Sequence, residues 1–118
     1  MGVNIITDKS KKFAVRIVKL QQYLMDTHKE WVLSRQICRS GTSIGANIRE
    51  AYRAQSDADF IAKLHIALKE ADETGYWLDI LYETGYIPPK LYQSFVADNN
   101  ELIRLLVSIL KTKKSHIS

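Results

Sequence analysis

The sequence is poor in residues that cross-link or interrupt a fold. A single cysteine, Cys38, cannot close an intrachain disulfide, and only two prolines and five glycines break a chain of 118 residues. A disulfide-rich scaffold is therefore excluded, and a many-turned β fold is disfavoured. We expect a cytoplasmic protein, because a lone thiol suits a reducing compartment.

No apolar run is long enough to cross a membrane. The best candidate, residues 102–110, is short and contains Arg104, whereas a spanning helix needs about 20 apolar residues. No lipid-anchor or secretory-leader motif is recognisable. We therefore expect no membrane attachment.

The composition predicts one globular domain over residues 1–118, since 46% of the residues are hydrophobic and 25% are charged. The net charge of +4 is unevenly distributed: residues 56–86 carry two basic and seven acidic side chains, and the other segments are basic. Such a pattern leaves two explanations open. The basic segments can bind nucleic acid, or segments of opposite sign can pair with each other.

Apolar residues recur at helical spacings of three and four in four segments. The four series are Phe13, Ile17, Leu20 and Leu24, continued by Trp31; Ile37, Gly41, Ile44, Ile48 and Tyr52; Phe60, Leu64, Ala67, Ala71, Leu78 and Tyr82; and Leu91, Phe95, Leu102, Leu106 and Ile109. Ser34 and Ser56 are predicted N-caps, Gly85 is a predicted helix end, and Pro88 and Pro89 predict a turn and a helix start. The fold predicted is all-α, an antiparallel up-down four-helix bundle.

Residues 39–51, RSGTSIGANIREA, superficially suggest a phosphate-binding loop. Gly45 is followed by Ala46 instead of the lysine that such a loop needs, and no strand-like run precedes it. The helical register of the isoleucines instead favours a buried helix, in which small residues allow another helix to approach. The predicted helix-packing residues are Gly41, Ile44, Gly45 and Ile48.

No pattern predicts an enzyme, a metal site or a cofactor. A di-iron bundle needs Glu-x-x-His motifs, and none occurs here; His28, His65 and His116 lie in separate segments. Cys38 has no histidine nearby and suits a small half-buried hydrophobe. The acidic group of Glu70, Asp72 and Glu73 could form a carboxylate cluster, but acids on a bundle helix are more often solvated or paired with cations.

Aromatic residues gather around the predicted turn between the third and fourth helices. They are Tyr76, Trp77, Tyr82, Tyr86 and Tyr92. They could offer a base-stacking platform. A hydrophobic plug at the end of the bundle, or a subunit contact, is the more common use of such residues.

The second helix carries an arginine stripe on its outer face, formed by Arg35, Arg39, Arg49 and Arg53. At about 100° per residue, these positions span about 80° nearly opposite the isoleucine face. One interpretation is contact with a nucleic-acid backbone, because guanidinium groups bind phosphate oxygens. The other is pairing with the acidic third helix, within the chain or across a subunit interface. Weaker candidates for nucleic-acid contact follow at the C-terminus: Lys111, Lys113 and Lys114.

The residues of these segments carry a family resemblance. The most specific positions are Ser40, Gly41, Ile44, Asn47, Glu50 and Ala51, followed by Phe60, Leu64, Ala67, Glu70, Glu73 and Trp77. From about residue 13 to 110 the chain resembles the bacterial four helix bundle proteins, first recognised as products of intervening sequences in large-subunit rRNA genes. The resemblance implies a ring-shaped homopentamer. The family brings no catalytic residues to carry over.

A more distant similarity, to the accessory variability determinant of diversity-generating retroelements, adds a reverse transcriptase to the candidate partners beside a ribosomal context. Our hypothesis is a non-enzymatic oligomer that binds RNA or another nucleic acid through its basic surface. The alternative is an oligomeric scaffold or adaptor without nucleic-acid binding, in which the arginines pair with the acidic third helix of a neighbouring subunit.

Overall fold

The computed structural model describes residues 4–117 and contains four helices. They are α1 (Ile5–His28), α2 (Val32–Ala51), α3 (Asp57–Glu83) and α4 (Pro89–Ile117). No strand occurs among the described residues. The all-α prediction is confirmed, and the helices pack as a four-helix bundle. Residues 1–3 and 118 of the predicted domain lie outside this description.

Neighbouring helices lie antiparallel. α1 and α3 each contact both α2 and α4, whereas the diagonal pairs α1–α3 and α2–α4 do not approach closely. Cross-helix contacts pair rising residue numbers on one helix with falling numbers on the next. They are Ser10–Gly45 and Ile17–Gly41; Ser40–Thr74 and Glu50–Lys63; Ala71–Asn99 and Asp79–Tyr92; and Lys9–Glu101 and Arg16–Asp98.

The core lies where the apolar faces of all four helices meet. Its largest fully buried side chains are Ile6, Phe13, Ile17, Leu24, Ile37, Ile44, Ile48, Leu64, Leu78, Leu81, Leu102 and Leu106. Trp31 departs from the predicted series, because its side chain is 48% exposed. The reason is local: α1 ends at His28, and Lys29 turns the chain with a left-handed φ of 53°.

The glycines of α2 face α1. A Cβ atom added at Gly41 would lie 2.7 Å from Cγ1 of Ile17, and one at Gly45 would lie 3.2 Å from the carbonyl oxygen of Ser10. Ile44 and Ile48 are fully buried on the same helix. The four residues assigned to helix packing thus lie against α1 or in the core. Any side chain at Gly41 would have to displace a core residue.

α2 begins earlier than predicted, and Ser34 is not its N-cap. Ser34 lies inside the helix and is fully buried. The carboxylate of Glu30 serves the first turn instead: Oε1 accepts from the Ser34 N–H at 2.7 Å, and Oε2 accepts from the N–H groups of Leu33 and Val32 at 3.0 and 3.2 Å. A serine before an apolar run is the usual sign of a helix start. Here the longer side chain of Glu30 reaches the first N–H groups instead, and its negative charge also interacts favourably with the positive end of the helix dipole.

We expect Glu30→Ala to lower the free energy of unfolding by about 1 kcal/mol, the usual cost of losing an N-terminal cap. Glu30→Gln keeps one oxygen acceptor and should lose less. Urea unfolding followed by circular dichroism measures both variants. An alanine variant as stable as the wild type would show that water replaces the carboxylate without cost.

Three other helix ends follow the sequence signals. Oγ of Ser56 accepts from the Asp59 N–H at 3.1 Å, so this predicted N-cap is confirmed. Gly85 follows α3 with φ of 84°, a left-handed conformation that favours glycine. Pro89 is the first residue of α4, where its missing N–H has no helical partner to lose.

Candidate nucleic-acid interface

The outer face of α2 carries the arginine stripe, and all four of its side chains are exposed. Arg35, Arg39 and Arg49 lie on the helix itself. Arg53 lies beyond the helix end at Ala51, in a turn where its N–H donates to the Glu50 carbonyl at 3.1 Å. The prediction of four arginines on one regular helical face is therefore wrong at its last member.

Arg39 is paired within the chain. Its Nη1 lies 3.3 Å from Oε1 of Glu70, and its Nη2 pairs with Oε2 of Glu73 on α3. The same Glu73 oxygen accepts from Nε1 of Trp77 at 3.0 Å. The hydrogen bond from Arg39, and then that from Trp77, lowers the pKa of Glu73 below its ordinary value. The ion pair is thus intact at neutral pH, and its contribution is lost in acid as the pH falls through that lowered pKa.

The other three arginines of the stripe have no such partner. Within residues 4–117, no ion pair or side-chain hydrogen bond engages the guanidinium groups of Arg35, Arg49 or Arg53. The acidic α3 thus neutralises one member of the stripe and leaves three. Because those three are exposed, their charge faces solvent.

The lysines of the tail are less available than their charge suggests. Nζ of Lys113 lies 2.8 Å from Oδ1 of Asp57 and 5.2 Å from the ring centroid of Phe60. Nζ of Lys114 lies 2.9 Å from Nε2 of His65. These contacts hold the end of α4 against the start of α3. Lys111 is exposed.

The residues considered for catalysis are placed apart or paired. Glu70 and Glu73 bind Arg39, whereas Asp72 is exposed. Cys38 is half-buried, and burial raises the pKa of its thiol, which disfavours the nucleophilic thiolate. Among the described residues, no group of three or more His, Cys, Asp or Glu side chains is positioned to hold a metal ion.

Four of the five aromatic residues near the α3–α4 turn contact one another in pairs, and Tyr86 meets His28 of α1 edge to face. Tyr82 and Tyr92 stack with centroids 4.2 Å apart, and the Tyr92 hydroxyl donates to Oδ1 of Asp79 at 2.6 Å. That hydrogen bond, with burial, raises the pKa of Tyr92. Tyr76 and Trp77 meet edge to face at 5.1 Å. The rings form separate pairs, so one face of each stacked tyrosine is already covered.

A groove between α1 and α2 borders the stripe and was missed by sequence reasoning. Its volume is about 480 Å³. It is lined by Asn4, Thr7, Asp8, Ser10, Lys11, Ala14, Thr42, Gly45, Ala46 and Arg49. A helical-wheel projection of one helix cannot show this groove, because about half of the groove lining belongs to the other helix. Its only sequence signal is the run of small residues on α2.

Fold and surface together define a small helical-bundle protein with a basic outer face. None of its helices, over residues 4–117, is long and apolar enough to span a membrane. The chain belongs to the 23S rRNA-intervening sequence protein family, whose model matches residues 3–108, so the family inferred from the sequence is confirmed.

A solved structure shows the same fold. It is the crystal structure of a protein of unknown function from the S23 ribosomal protein family of Bacteroides thetaiotaomicron. That protein is 59% identical, with a TM-score of 0.91, over 92% of this chain and 96% of that chain. No curated protein matches the chain.

Proposed function

We propose that the protein is a non-enzymatic, cytoplasmic RNA-binding bundle whose contact surface is the outer face of α2. The observation that carries this proposal is the exposure of Arg35, Arg49 and Arg53 without an acidic partner in the described chain. Unpaired guanidinium groups bind phosphate oxygens without first breaking an ion pair. The family's description names an intervening sequence of 23S rRNA, so RNA is the nucleic acid that we choose for the test.

The lysines make a smaller contribution. Lys111 is exposed and extends the basic surface along α4. Lys113 would have to leave Asp57, and Lys114 would have to leave His65, before binding a phosphate. Exchanging one partner for another gives little net affinity, so we assign the main contacts to the arginines.

Binding to a fluorescein-labelled stem-loop RNA, measured by anisotropy over a range of salt concentrations, tests the proposal. If three arginines contact phosphates, a plot of the logarithm of the binding constant against the logarithm of the salt concentration should have a slope of about −2 to −3. Absence of binding at low salt, or an affinity independent of salt, would contradict it.

A scaffold function is the second candidate. It is favoured by the ion pair of Arg39 with α3, which shows that the two helix surfaces are chemically compatible. In this function the remaining arginines meet exposed acids such as Asp72 on a neighbouring subunit. Both candidates are oligomers, and the family resemblance implies a homopentamer.

Light scattering separates the two candidates. The scaffold function predicts that Arg49→Ala/Arg53→Ala dissociates the oligomer and that the wild-type protein does not bind RNA. The RNA-binding function predicts an unchanged mass, equal to five chains, with weakened RNA binding.

A further inference from the structure

We propose that the groove between α1 and α2 accommodates one unpaired nucleotide of the bound RNA. This inference rests on the proposed RNA-binding function and names the form of RNA that the surface recognises. The groove adjoins the arginine stripe through Arg49, which lines it. A strand whose backbone follows the stripe therefore passes its opening.

The charges of the groove suit a phosphate. Lys11 stands on the α1 side and Arg49 on the α2 side, and neither is engaged in an ion pair within the described chain. The one acid in the lining, Asp8, is paired with Lys12 at 3.1 Å. The lining therefore carries two unpaired cations, and its single acid is already paired with Lys12.

Part of the groove lining suits a base. Among its lining residues, Ala14, Gly45 and Ala46 supply small apolar surface, and Thr42 and Asn4 add polar groups. The side chain of Asn4 makes no capping hydrogen bond to α1, so its amide is available. The groove volume of about 480 Å³ lies within the usual range of about 300–1,000 Å³ for ligand sites.

A second depression continues the path along α1. It shares Lys11 and Ala14 with the groove and adds Val15, Val18 and Lys19 among its lining residues. Val15 and Val18 are 49% and 38% exposed, so the apolar surface extends beyond the groove itself. Lys11 and Lys19 are about 12 Å apart along the helix axis at 1.5 Å per residue. Repeated cations beside apolar surface fit an extended single strand.

Base pairing decides which RNA can use this site. In an A-form duplex each base is stacked and paired, whereas unpaired bases in loops and ends can turn into a protein pocket. The groove should therefore raise affinity for single-stranded RNA, whereas duplex binding should depend on the surface charge alone.

Ala46→Leu tests the inference, because leucine fills the groove without altering any charge. Ala97→Leu is the matched control: it places the same exposed substitution on α4, away from the groove. Anisotropy is measured for each protein with a single-stranded RNA and with a blunt duplex of the same length. We expect Ala46→Leu to weaken single-strand binding at least tenfold, with duplex binding within twofold, and Ala97→Leu to change neither.

Other outcomes separate the two proposals. If wild type binds RNA but Ala46→Leu weakens neither probe, or weakens both equally, the groove inference is wrong and the RNA-binding function stands. If wild type binds neither probe, both proposals fail. Thermal unfolding by circular dichroism checks that both variants are folded. Lys11→Ala, which removes a charge, should weaken the binding of both probes.

Discussion

Replacing Gly41 by leucine is expected to lower the free energy of unfolding by about 3 kcal/mol or more. Even a Cβ atom at this position would lie 2.7 Å from Cγ1 of Ile17, and Ile17 is fully buried. Overpacking a core typically costs about 1–3 kcal/mol, and leucine adds three further carbon atoms beyond the Cβ. The better helix propensity of leucine returns less than about 1 kcal/mol. Urea unfolding followed by circular dichroism measures the loss.

Two further variants identify the cause. Gly75 also lies inside a helix, but its added Cβ would make only an ordinary 3.4 Å contact with Nδ2 of Asn99. Gly75→Ala should therefore stabilise the protein by up to about 1 kcal/mol. Adding Ile17→Ala to Gly41→Leu should cost less than the sum of the single changes, because the leucine then fills the space vacated. Strict additivity would contradict the proposed contact.

The fold was predictable because its core residues follow one period. Phe13, Ile17, Leu20 and Leu24 are spaced for a helical face, and all four are buried. Helix starts are less predictable, since several local geometries satisfy the same N–H groups. Ser34 matches the statistical preference for an N-cap, yet the carboxylate of Glu30 makes the contacts. Only the path of the chain between α1 and α2 determines which residue reaches them.

The charge of the surface was predictable from the sequence, but which arginine forms an ion pair was not. A helical wheel shows that the arginines share one face, and it treats Arg39 and Arg35 alike. The packing of α3 against α2 brings Glu70 and Glu73 to Arg39 alone. A difference of this kind depends on tertiary structure, because the acids lie more than thirty residues along the chain.

The groove could not be predicted from the sequence. Lys11 and Arg49 lie far apart in the sequence and on different helices, so the periodicity of a single helix does not bring them together. The sequence pattern assigns Gly45 to helix packing, and Ala46 serves only to exclude a phosphate-binding loop. In the structure both residues also line an open groove. Sequence patterns report what a helix buries more directly than what two helices leave open between them.

Replacing Arg35, Arg49 and Arg53 together by alanine is expected to weaken RNA binding about 100-fold at moderate salt, at about 1 kcal/mol for each exposed charge-assisted contact. The magnitude of the salt slope should fall by about 2 to 3, since three fewer phosphates are neutralised. Anisotropy with the stem-loop RNA measures both quantities. The substituted side chains make no ion pair in the described chain, so thermal stability should change little.

Arg39→Ala is the matched control within the same stripe. Its guanidinium group must leave Glu70 and Glu73 before it can bind a phosphate, so its removal should change RNA affinity by less than about threefold. Losses from Arg39→Ala as large as those from Arg35→Ala would show that the ion pair does not decide which arginines bind. If the triple variant instead dissociates the oligomer, and wild type binds no RNA, the arginines serve subunit contact and the scaffold function is correct.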